Sequence, residues 1–216
     1  MSAYKVVPLG DSCLSVVFDE KIDPAINRRA VALAAAIEGQ SRAGIRDVVP
    51  AYHTVAVYFD PLRLDRQALM RELGQAAAAE GRSSGSDGTL VEVPVRYGED
   101  QGPDLPSVAA FARCSEDEVV RIHTSTIYRV YMLGFLPGFA YLGSVDPRIA
   151  MPRLDTPRLR VRAGSVGIAG IQTGIYPCDT PGGWRIIGRT GLRTFDPAKS
   201  EPFLFEPGQR VRFVAS

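Results

Sequence analysis

The sequence predicts two domains: a small α+β domain, then a mostly-β domain built as a closed or nearly closed barrel. Three observations carry this. The first 80 residues alternate strand-like and helix-like stretches. "GRSSGSDG" at 81–88 has the composition of a flexible linker. After about residue 128, glycines and prolines recur every few residues between short apolar runs, which suits a barrel with many tight turns.

Each element has a local reason. "CLSVVFD" sets Leu14, Val16 and Phe18 at period two, a half-buried strand. "DPAINRRAVALAAAIE" opens with Asp23 as N-cap and Pro24 as first helical residue, and Ile26, Ala30, Leu33 and Ile37 form one apolar face. "IRDVVPAYHTVAVYFD" holds two strand runs with Pro50 between them. "LDRQALMRELGQAAAAE" is a second helix capped by Asp65. Two strand–helix units of this kind predict helices on one face of an antiparallel sheet. Beyond the linker, "LVEVPVRYG" alternates strictly, and Pro94 predicts an edge strand. "DLPSVAAFARCSEDEVVRIHTSTI" is helical in two pieces, with Ser115 and Glu118 spaced as a capping box. "PFLFEPGQRVRFVAS" reads as two short strands around Pro207-Gly208, with Val211 and Phe213 inward.

The totals narrow the function classes. The chain has 216 residues, 45% hydrophobic and 23% charged, with a formal net charge of +1. Such a balance gives no general attraction to nucleic acid or anionic lipid. No apolar run approaches the roughly 20 residues that span a bilayer. The start "MSAYKVVPLGDS" has no basic segment followed by an apolar one, so the expected location is the cytoplasm. Cys13, Cys114 and Cys178 are far apart and form no C-x-x-C pair, so separate thiols are expected.

Familiar catalytic signatures are missing. The glycines of "AGSVGIAG" (163–170) stand three apart, so this is neither G-x-G-x-x-G nor a nucleophile elbow around Ser165. It reads as a barrel strand with close backbone contacts, or else as a loop around a ligand. No phosphate loop and no Met-Lys-Met biotin-carrier segment occurs. Of two histidines, His53 reads as structural. His123 near a helix end is either a satisfied structural residue or the C-terminal half's one ready base. Neither supports a metal site. Arginines 148, 153, 158, 160 and 162 crowd a short stretch. They are either a solvated basic edge or a set converging on an anion. "PCDTPGGWRIIGRT" (177–190) raises a separate question, since it sets the only tryptophan, Trp184, just after a turn.

"HTSTIYRVYMLGFLPGFAYLG" (123–143), "PRIAMPRLDTPRLRVRAGSVGIAGIQTGIYP" (147–177) and "PGGWRIIGRT" (181–190) resemble the KipI/PxpB family. "GEDQGPDL" (98–105) fits as well, while the first 80 residues fit in layout more than in motif. Family members include the B subunit of 5-oxoprolinase, allophanate hydrolase subunit 1 and a sporulation-kinase inhibitor. The sequence departs from the family pattern at Asp155, Ile171 and Gly191.

The resemblance implies a ferredoxin-like α+β domain over 1–82 and a cyclophilin-like β-barrel over 83–216. It implies an ATP-dependent lactam hydrolase subunit that helps open 5-oxoproline to glutamate and is inactive alone. The partners would be a homologous C subunit (KipA/PxpC-like) and a lactam-opening A subunit, with no nucleic acid and no membrane. ATP binding would be shared with a partner, and no metal site is expected. Half of a biotin-dependent urea or amide carboxyltransferase, and a histidine-kinase inhibitor, remain alternatives. The implied catalytic residues are His123, Arg153 and Arg158, gathered on one barrel rim. Gln172, Tyr176, Trp184, Phe135, Pro137 and Arg148 would bind substrate or partner. Trp184 would be a cleft wall or partner anchor, or else a core plug beneath its turn.

Overall fold

A computed structural model describes residues 4–80 and 88–216. The linker reading of 81–88 falls, except for Gly88, outside the described residues. The chain divides into two compact units, Met1–Asp87 and Gly88–Ser216.

The first unit is a four-stranded antiparallel sheet with two helices. In chain order these are β1 (Lys5–Pro8), β2 (Cys13–Val17), α1 (Pro24–Gly39), β3 (Ile45–Ala51), β4 (Thr54–Phe59) and α2 (Arg66–Glu80). The sheet order is β1-β2-β4-β3. Asp23 accepts from the Ala25 and Ile26 amides and starts α1. Asp65 does the same for α2 through the Ala68 amide, at 2.7 Å. Leu14, Val16, Phe18, Leu33, Val55, Val57, Phe59, Leu69 and Leu73 make one apolar core. Pro50 lies inside β3 rather than between two strands. β3 is an edge strand, so the missing proline N–H costs little there. Asn27 of α1 is fully buried and donates to the Tyr52 carbonyl in the β3–β4 turn.

The second unit begins with β5 (Leu90–Tyr97), α3 (Leu105–Ala112), α4 (Glu116–Ser125), β6 (Ile127–Leu133) and β7 (Ala140–Gly143). It continues with β8 (Arg158–Val161), β9 (Ser165–Ala169), β10 (Gln172–Ile175), β11 (Thr180–Gly182), β12 (Arg185–Arg189) and β13 (Arg210–Ala215). Seven of these close into a barrel, ordered β10-β7-β6-β13-β5-β12-β9. Only the β5–β13 pair is parallel. β8 and β11 form a separate two-stranded ribbon. Val93, Val95, Tyr128, Val130, Leu142, Val166, Ile168, Ile175, Val211 and Phe213 belong to one core, which α3 and α4 join through Val108, Val119 and Ile122.

Three local expectations change. β5 is not an edge strand, because the barrel is closed. Pro94 is tolerated because β12 pairs with β5 only at Arg96 and Tyr97. Ser115 does cap α4 through the Glu118 amide, but the Glu118 carboxylate turns to Arg121 instead of completing the box. The chain's end carries one strand, β13, and the residues before it contribute only an isolated bridge, Phe195↔Phe203. "AGSVGIAG" includes barrel strand β9. Among the described residues, no helix is long and apolar enough to cross a membrane.

Candidate functional site: an aromatic wall on the barrel

Side chains alternate along a strand, so neighbours on β9 and β10 face opposite ways. Val166 and Ile168 of β9, and Ile175 of β10, enter the barrel core. Gly167 and Gly174 therefore present bare backbone to the other face. Trp184 lies on that backbone. A Cβ added to Gly174 would stand 2.8 Å from the Ala140 carbonyl oxygen and 3.1 Å from Trp184 Cζ3, and one on Gly167 would stand 3.0 Å from Trp184 Cβ. The indole fits because these two positions have no side chain.

Phe139 is the centre of the surrounding cluster. Its ring centroid is 5.3 Å from Trp184 and from Tyr176, 4.8 Å from Tyr141 and 5.6 Å from Phe135. The Trp184, Tyr176 and Phe135 contacts are edge-to-face, the favoured geometry for aromatic quadrupoles. Phe139 and Tyr176 are buried, whereas Trp184 is half-buried. Phe135 is 61% exposed, with a left-handed φ of 67°. Pro137 is exposed beside it. Trp184 is thus neither a sealed plug nor a free surface residue. It forms an aromatic wall with one side open.

Of the expected residues, the structure gathers Phe135, Tyr176 and Trp184, with Pro137 in the same loop as Phe135. Sequence reading missed Phe139 and Tyr141 as members. Their period-two spacing in "GFAYLG" was the available signal, since it sets both on one strand face. Gln172 opens β10 opposite Gly143 and Ala169.

The arginines do not converge. Arg148 pairs with Asp146 at 2.9 Å and also faces Glu118. Arg160 pairs with Asp179 at 2.6 Å. Arg153 and Arg162 are exposed. Arg158 reaches inward to Asp104 at 2.6 Å and toward the Trp184 carbonyl at 3.4 Å. The other Asp104 oxygen accepts the Ile186 amide at 2.6 Å. The pair therefore ties ribbon strand β8 to barrel strand β12 beside the indole. No sequence signal links Asp104 to Arg158, which stand 54 residues apart.

His123 is not on a rim. It is fully buried, stacked on Phe213 with ring centroids 4.5 Å apart. Nδ1 is 2.8 Å from the Tyr97 hydroxyl, and Nε2 is 3.0 Å from Thr173 Oγ1. Thr173 spends its own proton on the Gly167 carbonyl, at 2.9 Å. Its oxygen must therefore accept from Nε2–H, which leaves Nδ1 to accept from Tyr97. Burial lowers the His123 pKa to about 3, so the ring is neutral near pH 7. With both nitrogens satisfied and no exposure, the imidazole has no route to a substrate in this conformation.

Among the described residues, no His/Cys/Asp/Glu group could hold a metal ion.

These features define a class: a two-unit protein in which a closed seven-strand barrel carries an aromatic outer wall. The chain belongs to the family described as carboxyltransferase domain, subdomain C and D, whose model matches residues 4–205. The 5-oxoprolinase B subunit of Bacillus subtilis (strain 168) is 40% identical, over 98% of this chain and 92% of that protein. The 5-oxoprolinase B subunit of Escherichia coli O157:H7 is 46% identical over 78% of this chain and 77% of its own. The crystal structure of TTHA0988 is 42% identical with a TM-score of 0.84, covering 94% of this chain and 40% of that one, so this chain spans about two fifths of it. The urea amidolyase of K. lactis has a TM-score of 0.79 at 20% identity, over 99% of this chain and 15% of that one, a likeness in fold alone.

Proposed function

We propose that this chain is the B subunit of an ATP-dependent 5-oxoprolinase complex that opens 5-oxoproline to glutamate in the cytoplasm. The observation that carries the reading is the 40% identity to a 5-oxoprolinase B subunit over nearly the full length of both chains. The order β2-α1-β3-β4-α2, with β1 completing the sheet edge, supports a ferredoxin-like first unit in permuted strand order. The closed barrel supports the cyclophilin-like reading of the second.

Within such a complex, the aromatic wall suits contact with a partner better than it suits chemistry. Trp184, Phe135 and Pro137 would anchor the homologous C subunit, with Tyr176 and Phe139 holding the indole from behind. Aromatic anchors of this kind supply much of the affinity at protein interfaces. Phe135 adds a reason, because a bulky residue held at positive φ is a strained arrangement that tends to mark functional sites. Gln172 and Arg148 would lie at the margin of the same contact.

ATP is a substrate of the complex, and the arginine-rich stretch 148–162 does not fit it as a phosphate cradle. Arg148, Arg158 and Arg160 are each held by a carboxylate of this chain. Arg153 makes no ion pair among the described residues and would have to act across an interface. His123 would act by fixing the barrel interior and not by moving a proton. The reaction's acid and base would therefore come from the partners, the lactam-opening one included, and the chain alone would be inactive.

Co-expression with candidate lactam-opening and homologous partners tests the reading. The expected result is a stable complex with 5-oxoproline-dependent ATP hydrolysis. A complex that instead carboxylates urea with a biotin carrier, or a chain that binds only a histidine kinase, would overturn it.

A further inference from the structure

β12 and β5 part company early. Their ladder consists of Arg189↔Arg96 and Gly188↔Tyr97, while β5 runs back to Leu90 alongside β13. A cleft of about 490 Å³ opens where the ladder stops. Pro94 lies on its wall, as does Gly191, whose added Cβ would meet nothing within 4 Å.

The two arginines face this cleft as a cross-strand pair. Directly opposed residues hold their Cβ atoms about 5 Å apart, and like charges so placed destabilise a sheet. Neither arginine makes an ion pair among the described residues, in contrast to Arg148, Arg158 and Arg160. Asp179 feels the field of Arg189, but its oxygens are already taken by Arg160 and the Ala163 amide. The Arg189 Nε donates to the Ala163 carbonyl at 2.8 Å, which fixes the guanidinium and leaves its terminal N–H groups for other acceptors.

The other cleft groups also donate. Thr190 is buried, and its Oγ1 accepts the Leu192 amide at 3.2 Å, so the hydroxyl proton is left to give. Gln101 also lines this space, and its side chain carries an amide N–H₂ able to donate. Ser216 shares the wall, and even a carboxylate there would leave the two guanidiniums in excess.

We propose that this cleft binds a small oxyanion, a carboxylate or a phosphate group, held between Arg96 and Arg189 with Thr190 and Gln101 as further donors. Planar guanidiniums match both groups through paired N–H donors. The inference stands apart from the assignment to 5-oxoprolinase, since it rests on the cleft's own chemistry.

Calorimetric titration of the full chain tests it, with inorganic phosphate, 5-oxoproline, glutamate and ATP as separate titrants. At least one should bind, and Arg96→Gln should weaken that binding by about tenfold or more, the scale of losing a charge-assisted bidentate contact. Binding of the carboxylates alone identifies a carboxylate site, and binding of phosphate or ATP alone a phosphate site. Arg96→Gln should leave the melting temperature unchanged or raise it, because it relieves a like-charge pair. A purely structural role for Arg96 predicts the opposite. Arg189→Gln should weaken binding too, with some loss of stability from the Ala163 bond. Absence of binding by every titrant, or binding that Arg96→Gln does not change, overturns the proposal. Either result leaves the complex's 5-oxoproline-dependent ATP hydrolysis as a separate readout.

Discussion

The Tyr97 hydroxyl stands 2.8 Å from Nδ1 of His123, and together with Thr173 on the other nitrogen it locks a neutral imidazole inside the barrel. Burial also raises the Tyr97 pKa far above its ordinary value, so the phenol remains a donor at all working pH. The pair links β5 to α4 and holds the helix over the barrel core.

This pair makes stability depend on pH in a defined direction. The unfolded histidine takes up a proton below about pH 6.5, whereas the folded one does so only below about 3. The contribution is complete above the unfolded value and declines as pH falls through that window. Between about pH 6.5 and about pH 5 the loss should be about 2 kcal/mol. Urea unfolding at both pH values measures it, with His123→Gln as the control lacking the titration. Equal pH slopes for the two proteins would contradict the assignment.

Arg158 should matter to the fold as much as to any interface. Arg158→Ala strips the Asp104 carboxylate, whose side chain is only 9% exposed, of its counter-charge and leaves the Ile186 amide donating to it. Stranding a charge in this way costs about 3 kcal/mol. Denaturant midpoints should show that loss, and Asp104→Asn in the same chain should restore part of it. A change within about 0.5 kcal/mol would show that the ion pair is effectively solvated.

Gly174→Ala probes the seat of the indole. The new methyl group would meet the Ala140 carbonyl and Trp184 at less than van der Waals distance. Overpacking of this kind costs about 1–3 kcal/mol. Trp184 is the only tryptophan, so intrinsic fluorescence reports on it directly. A shift of the emission to longer wavelength, with a lowered melting temperature, is expected. Unchanged emission would mean that the glycine does not support the ring.

Trp184→Ala should separate docking from folding. The side chain is half-buried, so the stability loss should fall below the roughly 3–5 kcal/mol of a fully buried aromatic. Binding to the homologous partner should weaken by about 2 kcal/mol or more if the indole is an anchor. Titration with that purified partner, read beside the melting temperature, distinguishes the two. Full affinity in the folded variant would remove Trp184 from the interface.

The isolated chain should show no 5-oxoproline-dependent ATP hydrolysis, and activity should appear only with partner subunits. A phosphate-release assay on the chain alone, then on the reconstituted complex, checks this. Turnover by the single chain would require a base other than His123, which is sealed in the barrel with both ring nitrogens satisfied.

Features that depend on neighbours along the chain were legible in the sequence. Asp23, Asp65 and Ser115 cap their helices because a side-chain oxygen needs only amides two or three residues ahead. Period-two patterns located β2 and β5, and the clustered glycines and prolines announced a barrel. The family resemblance named Phe135, Tyr176 and Trp184, with Gln172, Pro137 and Arg148, as binding residues, and the structure sets the first three around Phe139. Pairs distant in sequence were settled by the tertiary structure instead. Closure of the barrel turned the strand of Pro94 from an edge into a wall. It sealed His123 between Tyr97 and Thr173, 26 and 50 positions away. The fold paired Arg158 with Asp104, and of the two readings the sequence left open for the arginine-rich stretch, a basic edge or a convergent set, it disperses Arg148, Arg158 and Arg160 onto separate carboxylates. It also set Arg96 opposite Arg189, two residues with no local pattern in common. The physical reason is the same throughout: local hydrogen bonds and side-chain periodicity are properties of short segments, whereas burial and charge pairing exist only once distant strands are in register.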